Sequence, residues 1–198
     1  FPAQLGSSPT ASGGSGSGEI VGELFYKRNV AQRKYFSDVV WDDLDKREGS
    51  SIPLYNLDTI RTADVSEAEI RLKDGTKILL DANSMIVLDI SRDSANIKFM
   101  AGSISASRTG GGGADLNIVS NASTIKIADS DVKLTGQGEG VSVEVSRGQA
   151  SVQTGSSQQN VDSNHVAVLS GSTVQVQQVS LRPLTPGDNA RLFTSEGR

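Results

Sequence analysis

Residues 67–80 read EAEIRLKDGTKILL, and this stretch indicates the fold class. Every second residue in 68–72 is apolar, a spacing that puts the apolar side chains on one face of an extended strand. An Asp-Gly pair at 74–75 interrupts the spacing, which resumes in 77–80. Asp-Gly between alternating runs is typical of a tight β-hairpin, because both central residues of its turn need a positive φ. The stretch therefore predicts two antiparallel strands with one apolar face.

The same spacing of two recurs through most of the chain from residue 19 onward. Residues 95–108 and 141–154 resemble each other, since each places one glycine, Gly102 or Gly148, at a corner between two short alternating runs. About a dozen short strands at intervals of about 8–12 residues are typical of sandwiches, barrels and rolls. Short rungs of Val and Ile also suit a solenoid. We therefore predict an all-β fold with many short strands in a sandwich, a roll or a β-solenoid-like stack, and minimal helix.

Two segments near the N-terminus are less regular. Residues 20–26 alternate, so we expect a strand with Ile20, Leu24 and Tyr26 on one face. Residues 30–44 fit either strands or one face of a helix. The apolar residues that leave this choice open are Phe36, Val39, Val40 and Leu44.

Composition shifts suggest the domain boundaries. Residues 6–18 read GSSPTASGGSGSG, which is typical of a flexible linker, and the chain becomes proline-rich after Arg182. We predict a flexible linker at 1–18, one β domain at 19–180 and an exit segment at 181–198. The glycines at 110–113 predict a mobile loop tip.

Composition also excludes several classes of protein. The chain has 198 residues, no cysteine and a formal net charge of −4. It can hold neither a disulfide framework nor a thiolate zinc site. Lysine and arginine are scattered rather than arranged as a basic stripe, so no nucleic-acid partner is expected. No apolar run is long enough to span a membrane, so any attachment would require an upstream anchor that this chain does not contain.

The sequence offers no convincing catalytic or cofactor site. His165 is the single histidine, and no nucleophile-elbow motif accompanies it. The carboxylates of 42–48 and 129–131 are typical of solvated turns rather than a glycosidase pair. The glycines of 136–140 lie between predicted strands, whereas a dinucleotide loop must open a helix. We predict no enzyme activity, no cofactor and no metal.

Aromatic and basic residues are interleaved near the N-terminus, which makes this the most ligand-like stretch. Such residues can stack on a sugar or bind a partner, but aromatic residues are usually part of the core and could instead close one end of the β structure. The residues of this candidate binding surface are Tyr26, Lys27, Arg28, Arg33, Tyr35 and Trp41.

Several motifs, in order, resemble the FecR domain of bacterial envelope proteins. Residues 57–62 resemble its opening step, 72–76 its "DGT" hairpin and 80–84 its "L-x-P-N-S" turn. The corners around residues 102 and 148 resemble its later steps, while Leu57 stands where the family usually has glycine. The positions that carry the resemblance are Asp58, Thr59, Arg61, Thr62, Asp74, Gly75, Asn83, Ser84, Gly102 and Gly148.

This resemblance implies a non-enzymatic, extracytoplasmic module in the periplasm, tethered to the inner membrane. Members of the family typically relay a signal from an outer-membrane receptor to a cytoplasmic sigma factor, so an envelope protein is the expected partner. A sheet edge could bind such a partner by strand addition, and residues 173–179 are the candidate edge. The alternative is a module that binds peptidoglycan or another glycan through the N-terminal aromatic residues.

Overall fold

A computed structural model describes residues 18–45, 50–110, 115–121, 123–137 and 140–179. These residues form strands and turns without any helix, which confirms the all-β prediction. The 18 strands are β1 (Ile20–Arg28), β2 (Ala31–Lys34), β3 (Asp42–Asp43), β4 (Ile52–Tyr55), β5 (Thr59–Thr62), β6 (Glu67–Leu72), β7 (Lys77–Leu80), β8 (Met85–Ile90), β9 (Ala95–Ala101), β10 (Ser103–Ser107), β11 (Leu116–Ser120), β12 (Ser123–Ile127), β13 (Asp131–Gln137), β14 (Gly140–Arg147), β15 (Gln149–Thr154), β16 (Ser157–Asp162), β17 (His165–Ser170) and β18 (Thr173–Gln178).

The strands form two sheets of nine strands each. Sheet I has the order β18-β17-β14-β13-β10-β7-β6-β1-β4, and sheet II has the order β16-β15-β12-β11-β9-β8-β5-β2-β3. The chain crosses repeatedly between the sheets while it advances along both. Consequently β3 and β4 form the edges at one end, here called the N-terminal end, and β16 and β18 form the edges at the C-terminal end.

A single apolar core lies between the two sheets. Alternate residues point inward, as in β6 and β11, and this matches the spacing of two in the sequence. Both sheets contribute fully buried aliphatic side chains, so the architecture is a sandwich. Examples are Leu24, Ile70, Ile104 and Val143 from sheet I and Ile60, Ile86, Ile118 and Val152 from sheet II.

The hairpin predicted at 67–80 is present. Ile70 pairs with Ile78, and the turn glycine Gly75 has a φ of +86°, whereas Asp74 does not have the positive φ that was expected of both turn residues. The Asp74 carboxylate accepts the backbone N–H of Thr76 at 2.9 Å, which stabilises the turn. Turn chemistry therefore fixes the register that buries the apolar face.

The two corner glycines are confirmed as well, and each has a physical reason. Gly102 has a φ of +86° and Gly148 a φ of +76°. A Cβ on Gly102 would lie 2.4 Å from the Cα of Ser84, and one on Gly148 would lie 2.3 Å from the carbonyl oxygen of Asp129. Each corner combines a left-handed backbone with a close approach of another segment, so only glycine fits.

In the two irregular N-terminal segments, the structure differs from parts of the prediction. Residues 30–44 form β2, β3 and a connecting loop, so the helical alternative is wrong. Residues 20–26 do form a strand, but Ile20 and Tyr26 are exposed while Leu24 is buried. The common face predicted for these three residues is wrong because the pairing of β1 shifts register near both ends.

Some predictions fall on residues outside the described part of the chain. These are most of the linker at 1–18, most of the loop tip at 110–113 and the exit segment at 181–198. In the part that is described, no helix is long and apolar enough to cross a membrane.

Candidate functional site

The predicted binding surface lies around the N-terminal end of the sandwich, but the fold divides it into three parts. Arg33 and Tyr35 turn inward beside Asp58. Trp41 packs against Arg61, outside that cluster. The remaining residues, Tyr26, Lys27 and Arg28, lie on β1.

The inward part is a cluster built on the Arg33 side chain. Its guanidinium lies 4.1 Å from the centre of the Tyr35 ring and donates a hydrogen bond to the Tyr35 hydroxyl. It also donates to the carbonyl oxygen of Pro53 at 3.0 Å, and it lies 3.9 Å from the Asp58 carboxylate. Because one cation contacts three segments of the chain, Arg33 fixes the position of Tyr35 relative to β4.

Asp58 is a buried carboxylate with only 1% of its surface exposed. Its Oδ2 accepts the backbone N–H of Tyr55 at 2.9 Å. Burial raises the pKa of Asp58 to about 6, although the Tyr55 hydrogen bond and the charge of Arg33 act in the opposite direction. The group can therefore change its charge in mildly acidic conditions.

A cavity of about 300 Å³ opens beside this cluster. The Tyr35 and Tyr55 rings stand 6.2 Å apart and are tilted by 48°. The cavity also reaches polar and backbone groups that the sequence analysis did not bring together. Its lining comprises Gly18, Glu19, Tyr35, Phe36, Ser37, Tyr55, Asn56, Leu57 and Asp58.

Leu57, which lines this cavity, has a φ of +67°. That conformation is disfavoured for a residue with a side chain and favours glycine. Non-glycine residues in such conformations cluster at ligand sites and turns. The departure from the FecR pattern was a visible signal in the sequence, whereas Tyr55 and Asn56 gave none.

In the second part of the surface, two basic side chains lie against the indole ring of Trp41. Arg61 stacks on the Trp41 ring at 3.9 Å, and the Lys34 ammonium lies 5.9 Å from the same ring. Arg61 also donates to the side-chain oxygen of Gln32 at 2.8 Å. Trp41 is half-buried by these contacts and lines no part of the cavity.

The residues on β1 form the third part and make local polar contacts. Arg28 pairs with Glu67 at 3.2 Å, and Lys27 lies 3.9 Å from Asp45. Tyr26 is exposed beside them. The structure therefore separates this group from the cavity.

The loop between β2 and β3 exposes an apolar patch. Phe36 is 77% exposed, Val39 91% and Val40 65%, and all three lie within five consecutive residues. We call Phe36, Val39 and Val40 the apolar loop. Such a concentration of large apolar side chains on a loop is typical of a binding surface.

The positions that resemble the FecR pattern connect neighbouring turns. The Thr62 hydroxyl donates to the carbonyl oxygen of Asp81 at 2.6 Å and accepts the N–H of Ser84 at 3.0 Å. The Ser84 hydroxyl donates to the carbonyl oxygen of Ser103 at 2.8 Å, and Asn83 has a φ of +55°. Thr59 and Arg61 lie on β5, beside Asp58. Most of these residues therefore connect or shape turns, whereas Asp58 also lines the cavity and Arg61 also stacks on Trp41.

The described residues contain no group of three or more His, Asp or Glu side chains arranged to hold a metal ion. His165 lies on β17, near the C-terminal end, where its Nδ1 is 3.2 Å from the carbonyl oxygen of Ser163. The histidine is therefore remote from the cavity.

Comparisons with known proteins identify similar chains and folds. An uncharacterized protein of Treponema pallidum (strain Nichols) is 25% identical over 186 residues, which cover 91% of this chain but only 27% of that relative. Two crystal structures of a candidate anti-sigma factor from Parabacteroides distasonis ATCC 8503 share the fold, with a TM-score of 0.53 and 14% identity. Each match covers 61% of this chain and 58% of the other. The family model described as FecR protein matches residues 58–151, and this match confirms the predicted resemblance to the FecR domain.

Proposed function

We propose that the chain is a non-enzymatic, extracytoplasmic interaction module that relays a signal by binding a protein of the bacterial envelope. The match of residues 58–151 to the FecR family model supports a signalling role, because FecR proteins typically connect an outer-membrane receptor to a cytoplasmic sigma factor. A periplasmic location, with a tether to the inner membrane, belongs to the same proposal. The domain division proposed with it is a linker at 1–18, the module at 19–180 and an exit segment at 181–198.

The apolar loop is the observation that carries this proposal. A monomeric domain gains nothing in stability by exposing Phe36, Val39 and Val40 together, whereas a partner would remove them from water. Trp41 and Arg61, of residue types enriched at the energetic centre of interfaces, stack next to this loop. We infer that the partner covers the apolar loop and reaches the Trp41–Arg61 pair.

Cross-linking and capture from isolated envelopes would test this function. The bait would be the wild-type chain or the variant Phe36→Ser/Val39→Ser/Val40→Ser. The matched control is Val65→Ser/Met100→Ser, which removes two other exposed apolar side chains. We expect a discrete envelope protein on the wild type and the control, and its loss from the triple variant. Equal capture by the triple variant would contradict the proposed surface.

The cavity favours a second candidate function, the binding of peptidoglycan or another glycan. The half-buried Tyr55 ring offers a face for a sugar, and Asn56, Ser37 and Asp58 supply polar groups beside it. Co-sedimentation with purified sacculi would test it, using Tyr55→Ala to open the cavity wall and Trp41→Ala as the control. Sedimentation that requires Tyr55 but not Trp41 would support glycan binding. If the wild type stays in the supernatant, this candidate function is wrong.

A further inference from the structure

The sheet edges at the two ends of the sandwich differ in their protection. At the N-terminal end, β4 contains Pro53, and β3 is only two residues long and consists of aspartates. Proline, charge and shortness all discourage another strand from pairing with an edge. At the C-terminal end, β18 reads TVQVQQ, six residues without charge or proline. Among the described residues no further strand pairs with β18, so this edge of sheet I is available for strand addition.

Backbone hydrogen bonding shows which groups β18 presents at this edge. The N–H of Val179 donates to the carbonyl oxygen of Asn164 at 2.8 Å, in register with the β17–β18 ladder. Hydrogen-bonded pairs alternate along an antiparallel ladder. Residues 173, 175 and 177 therefore bond to β17, and the N–H and C=O groups of Val174, Val176 and Gln178 point toward the free edge.

The side chains show that the core is incompletely covered at this end. Val176 pairs with the buried Ala167, and Val174 pairs with the buried Leu169. Paired residues share a face of the sheet, so both valines face the core side. Val176 is nevertheless 38% exposed. An additional strand beside β18 would cover it.

We propose that a second copy of this chain supplies that strand, by antiparallel pairing of β18 with β18 about a twofold axis at Val176. In this register Val176 lies opposite Val176, Val174 opposite Gln178, and Gln175 opposite Gln177. Opposed residues then share a face, as a continuous sheet requires. The free backbone groups of Val174, Val176 and Gln178 meet the same groups of the partner.

The lack of charge on β18 and the composition of the neighbouring edge strand, β16, favour a second copy of this chain as the added strand. β18 contains no charged residue, so no like charges meet across the axis. The half-exposed Val176 side chains of the two copies would cover each other. The companion edge β16 reads SQQNVD and carries a single charge, at Asp162. Two β18 edges can therefore meet without repulsion between like charges, and β16 adds only one carboxylate from each copy.

Matched charge variants on the outer face test both the dimer and its register. Gln175 and Gln177 are exposed and lie opposite each other across the proposed axis. Gln175→Lys/Gln177→Lys places like charges opposite, while Gln175→Lys/Gln177→Glu places opposite charges there. We expect the first variant to raise the dimer dissociation constant at least about tenfold, and the second to leave it within about threefold of wild type. Sedimentation velocity of the full chain over a wide concentration range would measure both.

Val176→Pro provides a second test, because it removes an N–H that faces the free edge and leaves the hydrogen bonds to β17 in place. We expect this variant to be monomeric at concentrations at which the wild type is dimeric, with a melting temperature that matches that of the double-lysine variant measured at a concentration low enough to be monomeric. A wild-type chain that remains monomeric at the highest concentration would overturn the proposal. Dimerisation that persists in both the double-lysine and the proline variants would also overturn it, because the interface would then lie elsewhere.

Discussion

Ser84 occupies the space into which any side chain on Gly102 would point. A Cβ on Gly102 would lie 2.4 Å from both the Cα and the Oγ of Ser84. Ser84 cannot withdraw easily, because its hydroxyl donates to the carbonyl oxygen of Ser103 at 2.8 Å and accepts the N–H of Ser103 at 2.9 Å. The β7–β8 turn and the β9–β10 corner are therefore fastened together, and the glycine is required on steric as well as conformational grounds.

We expect Gly102→Ala to be severely destabilising, by about 3 kcal/mol or more, since it adds a clash with backbone to the strain of a positive φ. Gly75→Ala is the matched control: Gly75 has the same φ of +86°, but nothing lies within 4 Å of its added Cβ. The control should lose only about 1–2 kcal/mol. Urea unfolding would measure both variants, and equal losses would show that the contact with Ser84 is unimportant.

Thr62 gives a prediction about hydrogen bonding inside the fold. Thr62→Val keeps the shape of the side chain but removes both the bond to Asp81 and the acceptor for the N–H of Ser84. We expect a loss of about 1–3 kcal/mol in the free energy of unfolding, because buried polar groups lose their partner. Thr62→Ser retains the hydroxyl and should lose clearly less. A valine variant as stable as the serine variant would disprove a role for the hydroxyl.

Val65 is a β-branched residue with a φ of +53° and a side chain that is 65% exposed. Asparagine tolerates this conformation far better, and little buried apolar surface would be lost. We expect Val65→Asn to raise the free energy of unfolding by about 1 kcal/mol. Val39→Asn is the control, since Val39 is also exposed but has no positive φ, and it should change stability by less than about 0.5 kcal/mol. Thermal and urea unfolding should agree on this difference.

The raised pKa of Asp58 predicts a specific dependence of stability on pH. Between about pH 4 and pH 6 the folded chain holds a proton that the unfolded chain releases, so the contribution of Asp58 to stability falls as the pH rises through this range. Asp58→Asn keeps an oxygen for the Tyr55 N–H and removes the titration. We expect the difference in unfolding free energy between variant and wild type to grow in favour of the variant from pH 4 to pH 7, by at most about 3 kcal/mol. A difference independent of pH would show that the carboxylate titrates normally.

The strands and corners were predictable because their causes are local. The Asp-Gly turn, the alternation of apolar residues and the glycine corners each operate within a few residues. The cavity was not predictable, since Tyr35 follows β2 of sheet II whereas Tyr55 ends β4 of sheet I, and the two meet only through the packing of the N-terminal end. Tyr26 and Trp41 were grouped with Tyr35 from their nearness in sequence, but the fold places them on separate surfaces.

The apolar loop shows that the spacing of apolar residues does not by itself distinguish buried from exposed side chains. Phe36, Val39 and Val40 look like core residues because they are large and apolar, yet they are exposed. Their spacing cannot reveal this, because the neighbouring Leu44 is buried and has the same apolar character. The three residues lie in the loop that connects β2 to β3, the edge strand of sheet II, which the apolar spacing does not indicate.

The order of the strands in sheet I, from β4 at one edge to β18 at the other, also determines the distance between Gly18 and Val179. Gly18 lies against Tyr55 at one end of sheet I, whereas Val179 bonds to Asn164 at the other. Nine strands at about 4.8 Å spacing separate these points by about 40 Å. The module is therefore also a spacer, because residues 18 and 179 lie at opposite ends of the stack.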